Sequence, residues 1–198
     1  MLQRQATEAR IEHQKQAAIA RAALEARLEQ AASMDKQRLE DTTYQVGVAV
    51  QRAKDAHGAL RKVGRAFFTA TEKGSSEDAR RQLSQALQSP DFARAWGNLQ
   101  KATERLGAAV WKMDEAAGQC DRREDPSVVR AEERAARVGY ELEAIPGRDV
   151  GQDFTGEASP ALQRVVDRYR EDFRADDRQR VRERKQSLSR NAGPSMGF

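Results

Sequence analysis

The residues with the clearest capacity for chemistry are basic side chains near the C-terminus. Guanidinium groups stay charged and offer planar, forked donors, so they pair with carboxylates and phosphates. Arg180, Arg182 and Arg184 occupy alternate positions, and residues two apart on a helix point about 200° apart. Alternation therefore favours an extended or frayed segment that displays its charges to an acidic receptor or to phosphate. The predicted partner-binding residues are Arg170, Arg178, Arg180, Arg182, Arg184, Lys185 and Arg190.

Residue types that could support catalysis are sparse and scattered. His13 and His57 do not form a pair with metal-ligand spacing, and His57 falls on an apolar helical face, which is typical of a structural histidine. Cys120 is the only cysteine, so neither an internal disulfide nor a cysteine-based metal cage is expected. No candidate base accompanies that thiol, and no histidine cluster accompanies the tyrosines. The sequence therefore predicts a protein that is not an enzyme, with no catalytic residues, metal site or cofactor.

The composition favours a polar, mostly helical chain. Of the 198 residues 38% are hydrophobic and one third are charged, and Ala, Arg, Glu and Gln dominate. The net charge is only +4, because 35 basic residues face 31 acidic ones, and this near balance disfavours a protein that coats DNA. No apolar run suits a signal peptide or a membrane span, and a lone cysteine suits a reducing compartment. We therefore expect a cytoplasmic location.

Apolar spacing predicts an all-α fold, an antiparallel helical bundle with a long N-terminal helix and a basic, partly disordered C-terminal tail. The predicted segments are a charged helix over 1–40, the bundle over 41–146, a linker over 147–158, and a terminal helix with an Arg-rich tail over 159–198. We expect disorder over 186–198, where no core anchors occur. The clearest apolar seam steps by three and four residues through Phe92, Trp96, Leu99, Thr103, Leu106, Val110, Met113 and Ala117.

Two residue types in that seam helix carry further expectations. Trp96 lies on the seam and is predicted to be a core aromatic residue, whereas Trp111 lies one position off it and suits a contact outside the core or a docking surface. Gly97 and Gly107 each lower helix propensity by about 1 kcal/mol. Both glycines therefore predict a close approach by a neighbouring backbone.

The arginine spacing resembles a known export signal. Arg170, then seven residues, then Arg178 and the alternating arginines resemble the pattern of C-terminal transport signals of type IV secretion substrates. Substrates with a BID domain, found in conjugative relaxases and effector proteins, combine a four-helix bundle with a positively charged tail. The order and size of the present chain are similar.

A second stretch carries part of the same resemblance. SPDFARAWGNLQ, residues 89–100, resembles the family's proline followed by a Gly-x-Leu-x-Gly-like motif, with Pro90, Gly97 and Leu99 as the matching residues. Asn98 intervenes, and the second glycine of the motif is absent. The ending SLSRNAGPSMGF is similar to the Arg/Ser/Gly tails of plasmid relaxases and mobilisation proteins.

This resemblance implies a non-enzymatic bacterial protein of conjugative DNA transfer or type IV secretion. Its bundle would dock on the coupling protein or secretion machinery, and its tail would supply the transport signal; transfer into a recipient cell stays open. One alternative is a plasmid accessory protein whose tail makes weak contacts with nucleic-acid phosphates. Another is a coiled-coil scaffold that forms homo-oligomers.

Overall fold

The predicted all-α fold is confirmed by a computed structural model. The structure describes residues 2–72, 76–145, 154–156 and 159–191, except for the side chains of 2–9, 11, 71, 72, 76, 79 and 188–191. No strand occurs among the described residues. The helices are α1 (Leu2–Val63), α2 (Arg65–Glu72), α3 (Ser76–Ala86), α4 (Pro90–Gln119), α5 (Pro126–Glu143) and α6 (Pro160–Asn191).

The core is built along the antiparallel pair of α1 and α4. At one end of the pair the Gly64 backbone lies against the Phe92 ring, and at the other end Arg38 Nη1 donates to Gln119 Oε1 at 2.8 Å. Every residue of the predicted α4 seam is buried, Trp96 included. Trp96 also packs against Phe67, Phe92 and Phe154 in an aromatic cluster. The apolar spacing along α4 therefore identified the centre of the bundle.

The first helix continues through residue 40 without a break and changes only in its packing. α1 has 62 residues, which at 1.5 Å per residue makes it about 93 Å long. Leu39 is the first buried residue among the α1 side chains that the structure describes. The described side chains over 10–38 are exposed, apart from the partly buried Ala17. We call residues 10–38 the α1 arm, because they project beyond the bundle up to Arg38, which contacts Gln119 at its end.

The predicted linker contributes to the core. Phe154 is buried, and its ring centroid lies 5.0 Å from that of Trp96. The expectation that 147–158 only connects two helices is therefore incomplete, since an isolated aromatic residue without helical spacing can still fill a core position. Most of the predicted linker, 147–153 and 157–158, lies outside the described residues.

The last helix packs on α4 and α5 and then extends beyond them. A Cβ atom built on Gly107 would overlap the Ser159 side chain, which confirms the close approach predicted at Gly107. The same prediction for Gly97 is wrong, because nothing lies within 4 Å of a Cβ built there. Along α5, Gly139 lies against Val166 and Leu162 of α6.

The C-terminal basic residues are helical, so the predicted extended or frayed segment is wrong. α6 continues to Asn191, so residues 186–191 of the predicted tail belong to the last turns of this helix. The helix is favoured locally by strong helix formers and by side-chain contacts one turn apart, such as Gln179 Nε2 to Glu183 Oε1 at 2.9 Å. Residues 192–198 of the predicted tail lie outside the described residues.

Candidate functional site

Arg170 is placed between helices, where it joins α5 to α6. Its Nη1 and Nη2 atoms donate to the two carboxylate oxygens of Glu143 at 2.7 and 2.8 Å, a bidentate arrangement. Nη2 also donates to Asp167 Oδ1 at 2.6 Å. Hydrogen bonds to Glu143 and then to Asp167 raise the pKa of Arg170, and the hydrogen bond from Arg170 lowers the pKa of Asp167. Arg170 therefore has a structural role in the folded chain.

A second arginine, Arg137 of α5, contacts α6 at Phe173 and Asp177, which follow Arg170 along that helix. Its role was not predicted from the sequence. Arg137 of α5 lies over the Phe173 ring, 5.0 Å from its centroid, and its Nη2 atom lies 3.0 Å from Asp177 Oδ1. Its side chain is only 21% exposed. In the sequence Arg137 lies off the apolar α5 seam, among several other charged residues of α5, so no local motif distinguishes it from the surface arginines.

Beyond Asp177 the helix leaves the bundle. We call residues 178–187 the basic extension; it contains Arg178, Arg180, Arg182, Arg184 and Lys185 and a single acidic residue, Glu183. All five basic side chains are exposed. Within the described part of the chain, none of the five forms a side-chain hydrogen bond or an ion pair.

The structure therefore divides the predicted partner-binding residues into two groups. Arg178, Arg180, Arg182, Arg184 and Lys185 share one projecting helix, whereas Arg170 lies eight residues earlier in an interhelical ion pair. The backbone of Arg190 belongs to α6, but its side chain lies outside the described residues. The predicted pattern thus combines Arg170, a partly buried residue that anchors α6 on α5, with Arg178, the first residue of an exposed surface.

The other residues with chemical potential lie apart from this extension. His57 is half-buried beside the Phe68 ring, and burial, followed by the charge of Arg61, lowers its pKa. Cys120 Sγ donates to the Ala116 carbonyl oxygen at 3.0 Å, as expected for a thiol at a helix end. No group of three or more His, Cys, Asp or Glu residues within the described ranges could hold a metal ion.

Trp111 marks a second surface. It is 50% exposed and lies beside Gly107 and Pro160, where α4 and α6 form an open apolar groove of about 600 Å³. Glu104 and Arg164 also line this groove. Trp111 therefore lies outside the core, as its position off the α4 seam indicated.

Comparison of the chain with protein-family models, with curated proteins and with solved structures finds no match. None of the helices in the described part of the chain combines the length and the apolar character that a bilayer crossing requires. The physical arrangement of the basic extension is consequently the main support for a function.

Proposed function

We propose that this chain is a non-enzymatic partner-binding protein that presents its basic extension to an acidic surface on another protein. The observation that carries the proposal is a helix that leaves the bundle with five exposed basic side chains and one acidic one. Such a surface attracts an acidic partner over a distance, so it speeds capture more than it deepens affinity. Binding should weaken as salt screens these charges.

The bundle gives this surface a defined position. Arg170 of α6 binds Glu143 of α5, and Asp177, seven residues later in α6, binds Arg137 of α5. Both ion pairs therefore lie before the extension begins. Because α6 is anchored on α5 up to residue 177, the extension projects as a continuation of a fixed helix. A helix already ordered before binding loses less conformational entropy than an unfolded tail would.

The resemblance to type IV secretion substrates supplies the biological setting of the proposal. The partner would be a coupling protein or another component of the secretion machinery in the bacterial cytoplasm, and the chain would be delivered to a recipient cell. The exposed residues Arg178, Arg180, Arg182 and Arg184 support a transport signal of this kind. Arg170 contributes by anchoring the signal helix.

A transfer assay in donor bacteria that carry a conjugative type IV system tests this setting. With a reporter fused to the chain, replacement of all five basic residues of the extension by Gln should abolish transfer. The control replaces Arg10, Lys15, Arg21, Arg27 and Lys36 of the α1 arm by Gln, which removes the same charge from another exposed helix. Undiminished transfer by the first variant would reject the proposed signal.

Phosphate recognition is the second candidate, because the same guanidinium groups also pair with a nucleic-acid backbone. The low net charge of +4 for the whole chain weighs against it. An electrophoretic shift assay at low salt separates the two candidates. Retardation of duplex or single-stranded DNA that disappears in the five-residue Gln variant would favour phosphate as the ligand.

A further inference from the structure

The helical conformation sorts the basic extension into two faces. At about 100° per residue, Arg182 and Lys185 lie within about 40° of Arg178 around the helix axis, whereas Arg180 and Arg184 point to the other side. We call Arg178, Arg182 and Lys185 the basic face. Arg180 and Arg184 lie on the same side of α6 as the buried residue Phe173 and as Asp177. We call Arg180 and Arg184 the seam face.

Acidic residues are distributed unequally between the two faces. Between residues 176 and 187 the acidic residues are Asp176, Asp177 and Glu183. All three fall within about 60° of Arg180 or Arg184, and all lie about 100° or more from Arg178. Opposite charges so near the seam face reduce its positive field more than they reduce that of the basic face. The stronger positive potential therefore lies on the basic face.

We propose that the basic face is the recognition surface, and that its ligand is an acidic helix with carboxylates at i, i+4 and i+7. This inference rests on the proposed function and names the partner chemistry for the same extension. Arg178, Arg182 and Lys185 are themselves spaced by i, i+4 and i+7, so they rise along the helix by about 6 and 10.5 Å. Carboxylates with the same spacing on a second helix rise by the same amounts, so each can face one basic residue.

An apolar neighbour favours a protein helix over a phosphate backbone. Val181 is 52% exposed and lies about 40° from Lys185 and about 60° from Arg178, at the edge of the basic face. Its methyl groups can pack against an apolar side chain of a partner helix and offer nothing to a phosphate. Charged residues flanking an apolar contact are the usual arrangement between paired helices.

The test uses two double variants of the full chain with equal loss of charge and equal spacing. R178Q/R182Q alters the basic face, and R180Q/R184Q alters the seam face; each replaces two exposed arginines at i and i+4. The probe is a labelled alanine-rich helical peptide with Glu at i, i+4 and i+7, and the readout is fluorescence anisotropy at low salt. R178Q/R182Q should weaken binding about five- to ten-fold, and R180Q/R184Q less than about two-fold.

Each other outcome contradicts a different step. Equal losses in the two variants would overturn the assignment to one face, while leaving an acidic protein partner in place. Failure of the unaltered chain to bind this peptide would overturn the acidic helix as ligand. If the chain instead binds a short DNA duplex, and R178Q/R182Q removes that binding, the proposed protein partner is overturned as well. Circular dichroism checks that both variants keep the helical content of the parent chain.

Discussion

At the residue scale, Arg170 and Arg178 show how position separates two arginines of one sequence pattern. Arg170 is bound on both sides by carboxylates, and its partner Glu143 is only 13% exposed. The substitution R170A should lower the free energy of unfolding by about 1 to 3 kcal/mol, because the largely buried Glu143 carboxylate loses both guanidinium hydrogen bonds and keeps only the one from Gln163 Nε2. R178A removes an exposed charge and should change it by less than about 0.5 kcal/mol. Urea denaturation followed by circular dichroism measures both, and equal stability of the two variants would contradict a structural role for Arg170.

His57 makes stability depend on pH in a definite direction. Burial lowers its pKa below the ordinary value of 6.5, so the unfolded chain takes up a proton at a higher pH than the folded chain does. Stability should therefore fall as the pH drops below 6.5, because protonation favours the unfolded state. Arg61 adds to this effect through charge repulsion.

The variant H57Q removes this titration and identifies its source. Between pH 7 and pH 5 its urea midpoint should fall less than that of the parent chain. The lowered pKa values of Asp125 and Asp167 place their contributions below about pH 4, outside this window. A parent chain and an H57Q variant with the same pH dependence would show that His57 is not the responsible group.

At the element scale, the crossing of α4 and α6 depends on one glycine. A Cβ atom at Gly107 would overlap Ser159 Oγ and lie only 2.6 Å from Ser159 Cβ. G107A should therefore force α6 away from α4 and destabilise the fold by about 1 to 3 kcal/mol.

The matched control is G97A in the same helix. That position has nothing within 4 Å of the added methyl group, so Ala should stabilise the helix by about 0.5 to 1 kcal/mol through its higher propensity. Thermal unfolding should move in opposite directions for the two variants. Changes of the same sign would mean that helix propensity, and not the approach of Ser159, determines the response at Gly107.

How far the sequence predicts each element depends on how local its determinants are. The α4 seam was predictable in full because a repeated step of three and four residues marks one helical face. The α5 start was also predictable, since Asp125 before Pro126 forms a local cap, in which Asp125 Oδ1 accepts from Ser127 N at 2.8 Å. Phe154 was not predictable as a core residue, because its position follows from a distant partner, Trp96.

The candidate site was also predictable only in its local features. The basic residues themselves were visible in the sequence, but their geometry was inferred from alternation alone, which favoured an extended segment. Helix propensity and the anchored preceding turns keep residues 178–187 helical instead. The two faces of the extension follow only once that conformation is known. The ion pair between Arg170 and Glu143 likewise depends on the packing of α5 on α6, which no local sequence pattern specifies.

At the scale of the whole molecule, the chain is a helical bundle with two helical projections. The α1 arm leaves the bundle before Leu39, and the basic extension leaves it after Asp177. The arm carries charges of both signs, with six basic and four acidic residues over 10–38, whereas the extension has five basic residues and one acidic. The two projections therefore differ as electrostatic surfaces, and the proposed acidic partner would be attracted mainly to the extension.

The stability of the bundle should not depend on the part of the α1 arm that precedes residue 36. Within the part of the arm whose side chains the structure describes, removal of residues 1–35 takes away no buried side chain, and it leaves Leu39 in place. The truncated chain should unfold at the same urea concentration as the full chain, with a smaller helical signal.

Removal of residues 1–42 also takes Leu39, which is 3% exposed, and the hydrogen bond from Arg38 to Gln119. That longer truncation should cost about 2 to 5 kcal/mol, as loss of a buried leucine does. If the shorter truncation already lowers the urea midpoint by a comparable amount, the arm must pack against a surface, either of its own bundle or of a second chain.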